Sequence, residues 1–234
     1  MAPSAAERVR NGEVPTEDID RVTAIPLSDR EVEQFKRDMG IPEDRDVVSG
    51  RQGDRVSHSD RGMCLYWKMP TWGVRWPFSP FIRSVLMALK CVPVTLSGMA
   101  WCYLNSFEAL WGLHRREFAN CPLQTPTLGM FLCYYSFITD RSWVTVRQTK
   151  NKLFSWSKVD RTPNRFLYLG IRPAEDEDWT SYVCWEWQTG VYLRGRVPLS
   201  TRELCAVEII ERIRESKPFL PFLCLSYCML FFVL

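Results

Sequence analysis

Three acidic residues are the first candidates for chemistry, because phosphoryl-transfer enzymes gather carboxylates around two metal ions. Asp140, Asp176 and Glu211 have suitable side chains, and Glu211 follows Asp176 by 35 positions. The chain holds 27 acidic residues, so a spacing of this kind arises readily by chance. Asp176 lies in the acidic stretch 175–178, and Glu211 lies on the charged side of a predicted helix, as solvated residues do. We therefore assign no catalytic residue.

Metal and nucleophile patterns are also missing from the sequence. The two histidines, His58 and His114, lie far apart, and neither has cysteines at the spacing of zinc ligands. His114 is followed by Arg115, Arg116 and Glu117, which predicts an exposed turn between helices. No glycine-rich phosphate loop with its Lys-Ser/Thr ending is present. We therefore predict a protein without metal, cofactor or enzymatic activity.

A basic and aromatic segment is the strongest functional signal in the chain. Residues 141–172 contain eight Lys or Arg and one acid, Asp160, interleaved with aromatic side chains. Cations neutralise phosphates and aromatic rings stack on bases, as single-stranded nucleic-acid binding requires. A solvated sheet face with its aromatic residues turned inward would show the same pattern. The predicted phosphate contacts are Arg147, Lys150, Lys152, Lys158, Arg161 and Arg165.

Three predicted helices precede this segment. The first opens at Ser79-Pro80, an N-cap followed by proline, and the third opens in the same way at Thr125-Pro126. The second is capped by Thr95 or Ser97 and ends at Gly112. Apolar residues recur at helical spacing in each. They are Ile82, Val85, Leu86 and Leu89; Ala100, Tyr103, Leu104, Phe107 and Trp111; and Leu128, Phe131, Leu132 and Tyr135.

These helices resemble a plant family. The strings PFSPFIRSVL (Pro77 to Leu86) and WCYLNSFEAL (Trp101 to Leu110) are similar to paired helices of the plant gypsy-type transposon proteins. A proline-opened helix and a basic, aromatic segment follow in that family, and here Thr125 to Phe137 and Arg165 to Leu169 occupy those places. The resemblance covers about residues 72–171. It implies origin in a retroelement reading frame and supplies no catalytic residues.

The chain ahead of these helices is acidic. Residues 1–62 hold ten Lys or Arg against fourteen Asp or Glu, whereas residues 63–234 hold twenty against thirteen. We predict a disordered leader, because its first part is polar and has no periodicity. A capping box at Ser28 opens one helix, 28–39, which either docks on the main domain or is a marginal helix in the tail. Residues 43–62 are predicted to be a linker.

After the helices the apolar period changes from 3.6 toward 2, which predicts three or four strands. They are 143–148, 152–156, 165–171 and 182–187. A second capping box, Ser200 to Glu203, opens a last helix to about Glu215. Its predicted inward residues are Leu204, Val207, Ile210 and Ile213. The sequence thus predicts an α+β domain over 63–216: a helical core, a small antiparallel sheet and a C-terminal helix, behind a disordered N-terminal leader.

The composition changes again in residues 218–234, which carry no charge. Seventeen apolar residues are the lower limit for a transmembrane helix, so a C-terminal tail anchor is one interpretation. Translation of a T-rich intron after a missed splice site would give the same amino acids, and a buried core segment is a third interpretation. Nine scattered cysteines without a pairing motif predict reduced thiols in a nuclear or cytoplasmic protein.

The functional prediction is a non-enzymatic, retroelement-derived protein. It would act as a structural or interaction module, with protein partners or self-association, and would bind nucleic acid through residues 141–172. The alternatives are a membrane protein anchored by 218–234 and, third, a phosphoryl-transfer enzyme.

Overall fold

A computed structural model describes the chain in residues 24–52, 54, 62–114, 117–119, 121, 123–140, 143–150, 153, 165–170 and 198–216. These residues have the predicted α+β architecture, with helices, small antiparallel sheets and a C-terminal helix. The helices are α1 (Asp29–Met39), α2 (Pro80–Leu89), α3 (Gly98–Leu113), α4 (Leu128–Tyr134) and α5 (Thr201–Ser216). The strands are β1 (Val47–Ser49), β2 (Met63–Tyr66), β3 (Tyr135–Asp140), β4 (Trp143–Gln148) and β5 (Phe166–Leu169).

Helix α1 begins at the predicted capping box. The Ser28 backbone N–H donates to Glu31 Oε2 at 2.9 Å, and Gly40 ends the helix with a φ of 75°. Glycine favours this left-handed conformation because it has no Cβ to clash with the preceding turn. Phe35 and Met39 are buried in the same core as the later helices. The helix therefore docks on the domain, which decides between the two interpretations of its sequence.

Strand β1 lies at the edge of a three-stranded antiparallel sheet with the order β1–β5–β2. Val47 of β1 and Met63 of β2 both pair with Leu169 of β5, from opposite sides. The sequence predicted a linker over 43–62 and placed every strand after the helices; the structure differs, because β1 and β2 come before them. Ala24 also lies in the common core. The predicted boundary near residue 63 therefore does not separate this N-terminal segment from the core.

The predicted starts of α2 and α3 are confirmed. Ser79 Oγ accepts a hydrogen bond from the Ile82 N–H at 3.2 Å, and Ser97 Oγ accepts one from the Ala100 N–H at 3.1 Å. Each hydroxyl satisfies one backbone donor that the first helical turn leaves without a partner. Helix α3 ends at Leu113, one residue beyond the predicted end at Gly112.

Helix α4 is shorter than the sequence predicted. Its N-cap is Thr127, whose Oγ1 accepts from the Met130 N–H at 3.3 Å, and β3 follows the helix without a break. Tyr135 and Phe137, two positions apart, are both 0% exposed, as alternate residues of a half-buried strand are. The prediction of a helix through Phe137 is wrong, because Tyr135 fits both the helical spacing and the strand alternation.

Helix α5 begins at the second predicted capping box. The Ser200 N–H donates to Glu203 Oε2 at 2.8 Å, and Thr127 Oγ1 donates to Glu203 Oε1 at 2.6 Å. One carboxylate therefore joins the N-termini of α4 and α5. The prediction that Leu204 faces inward is wrong, because its side chain is 50% exposed. The buried residues of this helix are Ala206, Ile209, Ile210 and Ile213.

Several predicted segments lie outside the described residues. They are the strand 182–187, the acidic stretch 175–178, the tail 218–234 and all of 152–156 except Leu153. Leu153 is buried, at 7% exposed. Within the described ranges, no helix is both long enough and apolar enough to cross a membrane.

Candidate nucleic-acid interface

Buried and less buried side chains alternate along strand β4. Val144 and Val146 are 7% and 8% exposed and face the core, whereas Trp143 and Thr145 are half-buried and Arg147 is exposed. Alternate residues of a strand point to opposite sides of the sheet. The indole, the hydroxyl and the guanidinium therefore share the side opposite the two valines, which we call the outward side, although the half-buried indole also packs against the core. From first to last they span about 13 Å, at the usual rise of a strand.

This strand is fixed from both edges. It pairs with β3 along its full length, and on its other edge the Ser97 N–H donates to the Val144 carbonyl at 2.9 Å. Ser97 Oγ also donates to Thr145 Oγ1 at 2.9 Å. Gln148 Nε2 donates to the Tyr103 hydroxyl on α3. The backbone that presents the outward side is thus tied to the helical core.

Lys150 lies two positions beyond the end of the strand. Its side chain is exposed, and the preceding residue is anchored, since Thr149 donates to the Tyr134 carbonyl through its N–H (3.1 Å) and its Oγ1 (2.7 Å). Arg147 and Lys150 form no ion pair with any residue that the structure describes. We call Trp143, Thr145, Arg147 and Lys150 the hairpin face.

Aromatic rings support one end of this face. The Tyr66 ring centre lies 5.3 Å from that of Trp143 and 6.3 Å from that of Trp72. Tyr66 is 3% exposed, and burial raises the pKa of its phenol well above the ordinary value, so the hydroxyl stays protonated. Trp143 and Trp72 are only half-buried. Each therefore leaves part of its indole ring in contact with solvent.

Arg165 has different surroundings from Arg147 and Lys150. Its Nη2 lies 2.5 Å from Glu31 Oε1, and its guanidinium carbon lies 5.2 Å from the ring centre of Trp67. Trp67 in turn stacks on Phe35 of α1, at 6.4 Å between ring centres. We call Glu31, Phe35, Trp67 and Arg165 the α1–β5 junction. Arg165 therefore already has an anionic partner within the chain, and its contact with nucleic acid stays a prediction.

Glu31 is held as a carboxylate by three donors. Its hydrogen bond from the Ser28 backbone N–H is the largest cause, followed by those from Arg165 and the Ser28 hydroxyl, and together they lower its pKa to about 2. The carboxylate therefore keeps its full negative charge at neutral pH.

The remaining predicted contacts, Lys152, Lys158 and Arg161, lie outside the described residues. Of the six, Arg147 and Lys150 are exposed at and just beyond the end of β4, whereas Arg165 lies at the α1–β5 junction.

Among the acidic residues considered for phosphoryl transfer, Glu211 is the one with a described side chain. It is half-buried on α5 and pairs with Arg214. It also faces Tyr134, whose pKa is raised above its ordinary value by burial and then by this carboxylate. The Asp140 side chain and all of Asp176 lie outside the described residues, so the clustering of the three carboxylates in space stays a hypothesis.

The prediction of an exposed turn at His114 is wrong. The residue is 5% exposed, and its Nδ1 lies 3.1 Å from Glu117 Oε1. Trp111 and Phe118, on either side of it in sequence, stack with their ring centres 4.0 Å apart.

The cysteines in the described ranges form no disulfide with one another. Burial raises the pKa of Cys91 to about 12, with a smaller opposing contribution from Thr95, so that thiol is protonated at neutral pH. No three His, Cys, Asp or Glu side chains in the described ranges are placed to hold a metal ion. The cysteines that the structure describes are Cys64, Cys91, Cys102, Cys121, Cys133 and Cys205.

Comparison of the chain with protein-family models, with curated proteins and with solved structures finds no match in any of the three. The resemblance to plant gypsy-type transposon proteins therefore stays a proposal, and a functional assignment rests on the geometry of the hairpin face.

Sequence reasoning missed two features of this region. It recognised Glu31 only as a capping-box residue and gave Arg165 no partner, because 134 positions separate them and no local pattern links the two. It also gave no role to Tyr66, which supports Trp143. The one available signal was the aromatic richness of the segment around Tyr66, Trp67 and Trp72.

Proposed function

We propose that this chain is a non-enzymatic, retroelement-derived interaction module that binds single-stranded nucleic acid without sequence preference. The observation that supports the proposal most directly is the hairpin face. There, Trp143 and Arg147 lie on the same side of one fixed strand, and the exposed Lys150 follows just beyond it.

The chemistry of the face suits a nucleic-acid backbone. The planar guanidinium of Arg147 can bind two phosphate oxygens at once, and the Lys150 ammonium acts as a point charge. The solvent-facing part of the Trp143 indole offers a surface on which any base can stack. Contacts to phosphates position a strand but do not read its sequence. We therefore expect binding that depends on salt and is tolerant of base identity.

The retroelement origin is part of the same proposal. It rests on the likeness of residues 72–171 to plant gypsy-type transposon proteins, and the hairpin face lies inside that stretch. A nuclear or cytoplasmic location would bring the face to its nucleic-acid partner.

Fluorescence anisotropy with a labelled oligothymidylate of about 16 nucleotides, a length that one small binding domain can cover, tests the proposal. The full chain is titrated over a series of salt concentrations. The test variant is Arg147→Gln/Lys150→Gln. The matched control is Arg202→Gln/Arg212→Gln, which removes the same charge from two exposed arginines of α5.

We expect the test variant to bind about tenfold more weakly at low salt, with a salt slope shallower by about 1.4 for two lost phosphate contacts. The control should keep both the affinity and the slope of the unmodified chain. Equal losses in the two variants would mean that total charge, and not the hairpin face, determines binding. Absence of binding by the unmodified chain would overturn the proposed function.

A further inference from the structure

The α1–β5 junction places a fixed anion on one of the predicted phosphate contacts. The Glu31 carboxylate meets the Arg165 guanidinium at 2.5 Å, although 134 positions separate them in the sequence. The pair is not fully buried, since the Arg165 side chain is 28% exposed and the Glu31 side chain is 35% exposed. An anion in solution can therefore reach the same guanidinium.

Glu31 holds Arg165 through one oxygen. Its other oxygen, Oε2, accepts hydrogen bonds from the Ser28 N–H at 2.9 Å and the Ser28 Oγ at 2.8 Å, and these belong to the cap of α1. The described contact to Arg165 is thus a single Nη2–Oε1 interaction, not the two-pronged geometry that guanidinium and carboxylate form at their strongest. A phosphate, with more acceptor oxygens, can satisfy more of the guanidinium donors.

The Trp67 ring keeps the guanidinium in a position where such an exchange can occur. Arg165 lies over this ring at 5.2 Å, and the ring also stacks on Phe35, so the cation stays at the start of β5 whichever anion it faces. Helix α1 is held separately by its buried residues Val32 and Met39. Loss of the Glu31–Arg165 contact therefore does not require the helix to leave the core.

We propose that Glu31 is a built-in competitor of nucleic-acid phosphate at Arg165, which lowers the affinity of the chain by occupying one cation. This inference rests on the proposed function of the hairpin face and adds a regulation to it. A change that neutralises or displaces Glu31 makes Arg165 available as a further phosphate contact. Exposed ion pairs contribute little to stability, so the exchange is energetically accessible.

The experiment compares Glu31→Gln with Glu33→Gln in the same anisotropy titration. Both variants remove one negative charge from α1 and keep the size of the side chain. Glutamine at position 31 can still accept the hydrogen bond of the capping box, so the helix cap is retained. Glu33 contacts Lys36 at 3.8 Å and has no described contact with Arg165, which makes it the matched control. Far-UV circular dichroism and a thermal melt check that each variant is folded.

We expect Glu31→Gln to bind the oligothymidylate about twofold to fivefold more tightly than the unmodified chain, the size of one surface ion pair. Its salt slope should steepen by about 0.7, since one phosphate contact is added. Adding Arg165→Gln to Glu31→Gln should remove both gains, whereas a purely structural role for Glu31 would leave the slope unchanged.

Two results would overturn the inference in distinguishable ways. If the unmodified chain binds and the two glutamate variants change binding equally, Glu31 is no competitor, and the proposed function stands. If neither the unmodified chain nor Glu31→Gln binds, both the competition and the proposed function are wrong.

Discussion

The hairpin face and the α1–β5 junction each contain an arginine and a tryptophan, but an anion of the chain already occupies only the second of the two arginines. Arg147 is exposed on the same side of β4 as Trp143, whereas Arg165 lies over Trp67 and meets Glu31. Both arginines come from the same basic segment of the chain. The difference lies in what the fold brings to each of them: solvent in the first case and a carboxylate from a distant helix in the second. Composition therefore identifies candidate phosphate contacts, and tertiary structure decides which are free.

The largest effect should come from the inward side of the hairpin. Phe137→Ala removes a ring that is 0% exposed and lies 5.4 Å from the Phe131 ring, so we expect the free energy of unfolding to fall by about 3–5 kcal/mol. Urea denaturation measures this change. Ser136→Ala, on the outward register of the same strand opposite Arg147, should change stability by less than about 0.5 kcal/mol. Similar losses in both variants would contradict the assignment of the two sides.

A smaller effect should separate the two tryptophans. Trp143→Ala removes an indole with a solvent-facing part and should weaken oligothymidylate binding by about 1–3 kcal/mol, as the loss of a stacked base does. Trp67→Ala should leave the affinity unchanged, because that ring already contacts Arg165 on one side and Phe35 on the other. Anisotropy measures both affinities after a thermal melt has shown that the variants fold. A loss in Trp67→Ala as large as in Trp143→Ala would remove the contrast between the two regions.

The smallest effect should appear as a pH dependence at the junction. The Ser28 N–H, Arg165 and the Ser28 hydroxyl lower the pKa of Glu31 from 4.5 to about 2, so its contribution to stability is complete above pH 4.5. It is lost as the pH falls through about 2. The difference in melting temperature between the unmodified chain and Glu31→Gln should therefore shrink across this window. A difference that stays constant from pH 5 down to about 2 would contradict the cause assigned to the shift.

Local signals predicted most helix starts correctly. The capping boxes at Ser28 and Ser200 and the N-cap at Ser79 depend on residues within one turn, so the sequence contains all the information that they need. The alternation in β4 is likewise local and predicted its two sides. The predicted end of α4 was wrong because the helical period and the strand period overlap there: Tyr135 fits the helical spacing of α4 but belongs to β3.

Non-local pairing could not be predicted from these patterns. Strand β1 is only three residues long and is stabilised by β5, to which Val48 pairs at Tyr168, far along the chain. The contact of Glu31 with Arg165 depends on that same pairing and on the docking of α1. At the candidate site, the sequence predicted the exposed cations Arg147 and Lys150, while the acid that neutralises Arg165 became visible only in the structure.

Nuclear magnetic resonance of the labelled chain during titration with oligothymidylate is the most direct test of the central claim. As oligothymidylate is added, we expect chemical shift changes at the indole and amide of Trp143 and at the amides of Arg147 and Lys150. At the same oligothymidylate concentrations, the signals of the Trp67 indole and of the α5 amides should not shift. Movement confined to α5, or an equal movement of the Trp143 and Trp67 indoles, would contradict the account, because it would locate binding away from the hairpin face.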